Sequence, residues 1–285
     1  MRFLVAGGAR GALAEAHLVR FEAVVEATGR EPILWESRRG RRLVGAAMIL
    51  PSAGRVGMLV AAPVDAPGVE PDAVAPAVSG AARHAIRSGM AYVQALNDVD
   101  AGPQVRVLEQ AGLRRLAELV CLDRGPGPVC EPTTASNIRW ASAEAVSEQV
   151  LGRLIARTYE GTLDCPAVTG LRTMEQVLAG LRDSGTYRPD WWLIAETDRG
   201  EPIGCALVND GRDDGAAEIV YLGVVPEHRG RGLGKALVTR AVTAPLGAGR
   251  DTIQVIADAA NGPAMSVYEG TGFTESRRRL AHFLF

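Results

Sequence analysis

The residue pattern most suited to chemistry lies at residues 225–234, which read VPEHRGRGLG. It follows an apolar, strand-like run and opens a helical pattern, so its glycines lie in a turn between a strand and a helix. Backbone N–H groups point outward from such a turn, and the N-terminal end of the helix adds a partial positive charge. Gly230, Gly232 and Gly234 let a ligand approach without a Cβ in the way. The pattern predicts a cradle for a phosphate group.

Two common phosphate loops do not fit this stretch. A Walker loop has a glycine five residues before its Gly-Lys pair and a Ser or Thr after it, whereas Arg229 and Ala236 hold those positions. A dinucleotide fingerprint reads Gly-x-Gly-x-x-Gly, whereas the glycines here are spaced Gly-x-Gly-x-Gly. The spacing therefore speaks against a nucleotide hydrolase and against a doubly wound dinucleotide-binding domain.

A second stretch, NGPAMSVYEGTGF, runs from Asn261 to Phe273. Together with Arg229-x-x-Gly232-x-Gly234 it resembles the acetyl-CoA loop and the following helix of the GNAT N-acetyltransferase superfamily, over about 50 residues in the same order. The resemblance implies that acetyl-CoA, or another short acyl-CoA, is the cosubstrate. The residues it implies as cofactor ligands are Val224, Val225, Arg229, Gly230, Arg231, Gly232, Leu233, Gly234, Lys235 and Asn261.

Acyl transfer from a thioester to an amine needs a base for the amine and a proton for the departing thiolate. Glu218, in AEIVYLGV, resembles the glutamate that takes the amine proton in histone-type members of the superfamily; the alternative is a surface charge at a strand edge. Strand alternation would place Glu218 on the same face as Val220. The family pattern puts Tyr268 within reach of the CoA sulfur, where a neutral phenol could protonate the thiolate; the alternative is an aromatic packed in the core. Asn261 either caps its helix or contacts the pantetheine arm.

Acceptor recognition in this superfamily comes from the first helix pair and its loop, here Thr158 to Gly170. Tyr159, Glu160 and Asp164 are the candidate ligands of a cationic amine, although polar residues in a loop also serve solubility. The four cysteines lack the paired spacing of zinc sites or of a disulfide framework. We therefore expect a small-molecule amine as acceptor and no metal.

An internal repeat divides the chain. Residues 89–112 laid over 249–272 match at eight of 24 positions without gaps, including the Gly-Pro pairs at 102 and 262. The first copy lacks the glycine cradle, and Ala101 and Leu108 stand where the second has Asn261 and Tyr268. We therefore predict a degenerate, structural domain at 1–126 and a catalytic domain at 137–285. The segment from Arg124 to Asn137, rich in Pro, Gly, Ser and Thr, reads as the linker.

The elements that must position these residues are predicted in the second copy as follows: strands at 138–141, 192–196, 203–208, 218–225, 252–258 and through 273–285, with helices at 144–157, 173–183, 233–242 and 262–270. The resemblance implies an α+β fold of two tandem GNAT-like domains. Each would be a mostly antiparallel, splayed sheet flanked by helices. Such tandem domains occur in two-domain acetyltransferases of the superfamily.

Composition narrows the class of partner. With a net charge of −2, the chain has no overall excess of positive charge, so binding of nucleic acid is not expected. No apolar run approaches the roughly 18 residues of a membrane span, and the first residues do not read as a secretory signal, so we expect a cytoplasmic protein. Two rival functions stay open: a non-catalytic acyl-CoA sensor, and an acetyltransferase acting on protein lysines or N-termini. The sequence does not indicate the oligomeric state.

Overall fold

The computed structural model describes residues 1–128, 138–211 and 216–285. These form two compact units, the first made of Met1–Ala117 and Arg279–Phe285 and the second of Glu118–Arg278. Most of the predicted linker, residues 129–137, lies outside the described residues, as does Asn137, where the catalytic domain was predicted to begin. No helix within the described ranges is long and apolar enough to cross a membrane.

The first half of the chain folds as a meander of strands followed by a crossover helix. Strands β1 to β3 pair antiparallel, and β4 then runs parallel to β3. The elements are α1 (Arg2–Ala6), α2 (Ala12–Ala27), β1 (Ile33–Arg39), β2 (Arg42–Pro51), β3 (Val56–Ala61), α3 (Pro71–Arg87), β4 (Tyr92–Asp98), α4 (Gly102–Gln110) and β5 (Arg114–Arg124).

The second half repeats this order, including two helices before its meander, and adds a strand ahead of these helices and a short helix after its crossover helix. Its elements are β6 (Arg139–Ser142), α5 (Glu148–Thr158), α6 (Met174–Asp183), β7 (Leu193–Glu196), β8 (Pro202–Asp210), β9 (Ala216–Val224), α7 (Leu233–Ala241), α8 (Thr243–Gly247), β10 (Thr252–Asp258), α9 (Gly262–Glu269) and β11 (Thr274–Leu284).

The unit boundaries differ from the predicted limits of 126 and 137 because the closing strands are exchanged between the two copies. In the second unit the edge of β10 pairs with β5, Ile253 opposite Arg124 and Asp258 opposite Leu119. In the first unit the edge of β4 pairs with the end of β11. The first copy thus supplies β5, which pairs with β10 of the second copy. The second copy supplies β11, which pairs with β4 of the first.

Side-chain caps set the starts of the helix pair. The Thr173 hydroxyl accepts a hydrogen bond from Gln176 N, and the Gln176 side chain accepts one from Thr173 N, so α6 begins with a capping box. Helix α5 begins later than the predicted residue 144. Ser147 caps it by accepting a hydrogen bond from Val150 N, while residues 143–145 form a separate 3₁₀ turn.

The core of the second unit lies between its sheet and the flanking helices. Trp192 is fully buried, and its indole N–H donates to Asn209 Oδ1 at 2.9 Å. Asn209 in turn donates to the carbonyls of Leu181 and Ser184, which fixes the end of α6 on β8. Because the polar groups of this buried network all have partners, the network holds the end of α6 rigidly against the sheet.

Candidate active site

A cleft opens where β9 and β10 separate. The two strands pair in parallel only as far as Ile219 and Val255. Beyond that point, residues 220–224 and 256–257 diverge and line a cavity of about 920 Å³. The sheet therefore splays as predicted, and the backbone of the C-terminal half of β9 faces open space.

A bulge at Val220 changes the direction of side chains along β9. Tyr221 lies opposite Leu207 and Ile219 lies opposite Val208, so Val220 is an extra residue between them. The alternation that would put Glu218 on the face of Val220 is interrupted there. Glu218 lies in the closed part of the sheet, opposite Asn209 and Gln254, and is not among the residues that line the cavity. Burial raises the pKa of its carboxyl.

The glycine-rich loop borders the cavity at the start of α7. Gly232 is the N-cap in a left-handed conformation, with φ of 80°, and a Cβ placed there would meet no atom within 4 Å. No side chain caps this helix, so its first N–H groups are free to bind an anion. Eight of the ten predicted cofactor ligands line the cavity: Val224, Arg229, Gly230, Gly232, Leu233, Gly234, Lys235 and Asn261.

The other two predicted ligands lie elsewhere. Val225 is fully buried, and its backbone N–H donates to Ile203 O at 3.0 Å, so this N–H is not available to a cofactor or an oxyanion. Arg231 is exposed to solvent and does not line the cavity. The backbone after the end of β9 is thus already paired with β8 at Val225. A sequence pattern does not reveal this pairing.

Arg229, although predicted as a cofactor ligand, binds backbone carbonyls of this chain. Its guanidinium donates to three backbone carbonyls, those of Val224 at 3.0 Å, Thr158 at 2.9 Å and Gly161 at 3.5 Å. These carbonyls belong to the end of β9, the end of α5 and the acceptor loop, which we define as residues 158–170. The side chain therefore ties the acceptor loop to the glycine-rich loop, residues 225–234, which we call the cofactor loop after the ligands predicted in it.

Asn261, at the N-cap of α9, and Tyr268, within this helix, both line the cavity. The Asn261 side chain accepts a hydrogen bond from Ala264 N at 3.2 Å, which identifies it as a helix cap. Tyr268 is 4% exposed, and its ring packs edge-on against Phe273. Among the described residues no hydrogen bond engages the Tyr268 hydroxyl, although the residue lines the cavity. Burial, and next the charge of Asp164, raise the pKa of this phenol, so it stays protonated at neutral pH.

The acceptor loop supplies an aromatic and a carboxylate. Tyr159 and Asp164 line the cavity, whereas Glu160, the third predicted ligand, does not. The Tyr159 ring packs edge-on against Tyr221, whose hydroxyl lies 2.5 Å from Thr158 Oγ1. Tyr221 and Thr158 were not identified from sequence, although Tyr221 stands in the same strand segment as Glu218.

Asp258, at the end of β10, fixes the acceptor loop at Asp164 and Cys165. Its carboxylate accepts hydrogen bonds from Cys165 N at 3.2 Å and Ala260 N at 2.9 Å, while its own N–H donates to Asp164 Oδ1 at 2.9 Å. Cys165 takes a left-handed conformation, φ 42°, which is costly for a residue with a Cβ. Asp258 was visible in the sequence only as a position shared by both copies, Asp98 and Asp258.

Cys165 lines the cavity but is a poor nucleophile. Burial, with the charges of Asp164 and Asp258 and a hydrogen bond to Asp258, raises the pKa of its thiol to about 12. Since the thiolate is the reactive form, Cys165 stays inert at neutral pH. Among the described residues, no cluster of three or more His, Cys, Asp and Glu side chains is arranged to hold a metal ion.

The splayed sheet and the glycine-rich loop agree with a family comparison in the class of protein that they indicate. Residues 156–273 match the model of the acetyltransferase (GNAT) family, so the chain contains a GNAT acetyltransferase domain. A mycothiol acetyltransferase of Stackebrandtia nassauensis is 38% identical over 91 residues, which is 31% of this chain and 30% of that relative. The chain thus matches less than a third of that relative's length.

Longer matches cover both halves of the chain. A mycothiol acetyltransferase of Kocuria rhizophila is 26% identical over 246 residues, covering 82% of this chain and 78% of that protein. A solved tandem GNAT protein from the clavulanic acid biosynthesis pathway covers 89% of this chain and 83% of its own, with a TM-score of 0.57 and 16% identity. The fold is therefore that of tandem GNAT domains.

Proposed function

We propose that the second unit binds acetyl-CoA, or another short acyl-CoA, and transfers the acyl group directly to an amine of a small molecule. The observation that carries this proposal is one cavity that holds both the uncapped N-terminus of α7 and the unpartnered hydroxyl of Tyr268. The helix end fits the pyrophosphate, and the splayed backbone of β9 fits the pantetheine amides as an added strand would.

Tyr268 is the proposed acid. Its phenol keeps its proton at neutral pH and lies at the wall of the cavity, so it can protonate the departing CoA thiolate. Glu218 stays a predicted base; because it lies outside the cavity lining, it would have to receive the amine proton through water. The inert thiol of Cys165 favours direct transfer without a covalent enzyme intermediate. A thioester is already activated, and the proposed reaction uses no metal.

The first copy is proposed to be structural. Where the second copy has its glycine loop, the first has VDAPGVEPDA. The side chain of Gln104, in α4, accepts a hydrogen bond from Val64 N and donates one to Ala62 O, so it occupies backbone groups just after the end of β3. Leu4 of α1 is buried and lines the cavity between β3 and β4. Both features favour a copy that binds no acyl-CoA.

The test is CoA release by the pure protein with acetyl-CoA and a panel of primary amines. The panel includes a short peptide with a free N-terminus, a lysine peptide and, because the curated relatives are named for mycothiol, a mycothiol-related acceptor. Release with a small amine and not with the peptides supports the proposal. Binding of acetyl-CoA without release for any acceptor indicates the sensor function, and release with peptides alone indicates a protein acetyltransferase.

A further inference from the structure

Among the described residues that line the cavity, Asp164 is the only carboxylate. Its Oδ1 atom accepts the N–H of Asp258, which fixes the carboxylate in place, and its backbone N–H donates to Thr162 Oγ1 at 3.1 Å. The Oδ2 atom has no hydrogen-bond or ion-pair partner among the described residues. One oxygen is therefore held by the fold, and the other is available to a ligand.

Asp164 lines the same cavity as Tyr221 and Tyr268. Burial raises the pKa of both phenols, and the charge of Asp164 raises it further. Desolvation and the neighbouring Asp258 raise the pKa of Asp164 itself. A carboxylate in such a setting gains from a bound cation, because a nearby positive charge offsets both the desolvation and the repulsion.

The hydroxyl of Tyr268 is a second, independent sign of a ligand at this place. It lacks a hydrogen-bond partner within the described part of the chain and is not one of the buried unsatisfied atoms, so it is open to a group bound in the cavity that Tyr268 lines. An acyl group and an amine bound between Tyr268 and Asp164 would satisfy both. Glu218, by comparison, does not border this space.

We propose that Asp164 binds the ammonium group of the acceptor and takes the first of the two protons that this group loses. The proposal rests on the N-acetyltransferase function proposed above. Asp164 is then a catalytic residue, and Asp258 is a positioning residue that holds it through the backbone.

The proton balance is as follows. The acceptor enters as R–NH₃⁺, and Asp164 takes one proton to leave R–NH₂. The nitrogen attacks the thioester carbonyl carbon and forms the C–N bond; the C–S bond then breaks and sulfur keeps the electron pair. Tyr268 gives its proton to sulfur and regains one from the nitrogen, which completes the amide. Asp164 releases its proton to water, so one proton is released in each turnover.

The wall of the acceptor side indicates the class of amine. Its apolar and aromatic members include Leu163, Val168, Met174, Val177 and Tyr221. The same stretch also supplies threonines and one cationic side chain, that of Arg172. One carboxylate beside these apolar side chains fits a molecule with one ammonium group and a neutral, partly apolar body. A polyamine would leave further charges unpaired against this wall.

The experiment compares wild type with Asp164→Asn and Glu160→Gln, using two acceptors with the same body. Asparagine keeps an Oδ1 acceptor for Asp258 N and removes only the charge. Glu160 is in the same loop but outside the cavity lining, so Glu160→Gln is the matched control. The acceptors are benzylamine, which is cationic at pH 7, and O-benzylhydroxylamine, whose amine is neutral at pH 7. CoA release gives kcat/KM for each.

We expect Asp164→Asn to lower kcat/KM about 100-fold or more for benzylamine and by less than about tenfold for O-benzylhydroxylamine, because only the cationic amine needs the first proton removed. Glu160→Gln should match wild type with both, and acetyl-CoA should raise Tm equally in all three proteins. If Asp164→Asn does not fold, Asp164→Ser, whose hydroxyl also accepts, replaces it.

Equal losses for both acceptors would show that Asp164 only shapes the loop, and unchanged kcat/KM would show that it takes no part; either result overturns the proposal. If wild type releases CoA with other primary amines but not with benzylamine, the apolar amine class is wrong. If wild type releases CoA with no primary amine at all, the proposed N-acetyltransferase function itself fails.

Discussion

The Arg229 guanidinium donates to the Thr158 carbonyl at 2.9 Å, and this contact joins the cofactor loop to the end of α5. Because Arg229 also donates to the carbonyls of Val224 and Gly161, one side chain bridges the strand, the helix and the acceptor loop. If acyl-CoA binds to the loop that carries Arg229, as proposed, this bridge would transmit the effect to the acceptor loop.

Replacing Arg229 tests this bridge. Arg229→Ala removes three hydrogen bonds from a charged donor, so the acceptor loop should loosen, and KM for the amine should rise about fivefold to tenfold. Arg231→Ala is the control, since Arg231 is exposed in the same loop. Steady-state kinetics with both substrates varied measures the effect. A larger rise in the KM of acetyl-CoA than of the amine for Arg229→Ala would return this residue to the phosphate role.

The open space at Gly232 predicts the cofactor position. Gly232→Glu puts a carboxylate at the N-terminus of α7, where it would repel a pyrophosphate, so the rise in Tm with acetyl-CoA should disappear. For wild type, we expect about 2.7 kcal/mol of stabilisation at a hundredfold excess over Kd. Titration calorimetry should give one site per chain, since the first copy lacks the loop.

Gly249→Glu is the matched control for Gly232→Glu. Gly249 also has a positive φ, 81°, with no atom near a placed Cβ, and it does not border the cavity. It therefore carries the same backbone strain and the same added charge. A normal Tm shift in Gly232→Glu, or two sites per chain, would place the cofactor elsewhere.

Tyr268→Phe removes one hydroxyl and keeps the ring against Phe273. Acetyl-CoA binding should persist while kcat falls roughly 10- to 1000-fold, the usual effect of losing a positioned proton donor. Tyr187→Phe is a control, because Tyr187 packs against Trp192 outside the cavity. An unchanged kcat in Tyr268→Phe would mean that the thiolate leaves unassisted and that Tyr268 is a packing aromatic.

Local sequence patterns predicted most of the second unit. Strand β10 begins and ends as predicted, at Thr252 and Asp258, because an apolar run there is bounded by turn residues. The exchange of β5 and β11 was not predictable in this way. Two copies of one domain present similar strand edges, and no local propensity decides which copy supplies the closing strand.

The sequence predicted the site residues whose place depends on local backbone conformation. It did not predict those whose place depends on contacts with distant parts of the chain. Gly232 was predictable at the start of α7 because glycine tolerates the left-handed φ found there. Asn261 was predictable at the start of α9 because Asn favours N-caps. The place of the Arg229 side chain depends on carbonyls of α5, which lie about 70 residues earlier in the sequence. The bulge at Val220 inserts one residue and so breaks the alternation on which the Glu218 face depended.

His282 predicts an acid-sensitive first unit. It is fully buried in β11, with Nε2 4.0 Å from Glu109 Oε1, and burial lowers the pKa of the imidazole despite that carboxylate, while Arg115 lowers it further. A lowered folded pKa means that the unfolded chain takes up the proton first. Stability is therefore complete above about pH 6.5 and falls below it, by up to about 1.4 kcal/mol per pH unit.

Chemical denaturation of wild type, His282→Gln and His17→Gln between pH 5 and 8 measures this loss. His282→Gln should flatten the acid side of the profile, whereas His17→Gln, a change at an exposed residue of α2, should leave it as in wild type. A profile of the same slope in all three proteins would assign the acid sensitivity to other groups.

Glu218→Gln tests both the burial of this carboxylate and its predicted role as base. A raised folded pKa means that the folded state binds the proton more readily, so the group's contribution to stability is present below about pH 4 and lost as pH rises. The variant should therefore be more stable than wild type at pH 7 and equal to it near pH 4. If Glu218 is the base in place of Asp164, the variant should lower kcat/KM about 100-fold and lose the acidic limb of the pH profile. If it gains stability but keeps both the rate and the limb, Glu218 is a buried structural carboxylate, and the comparison with Asp164→Asn decides whether the acceptor loop supplies the base.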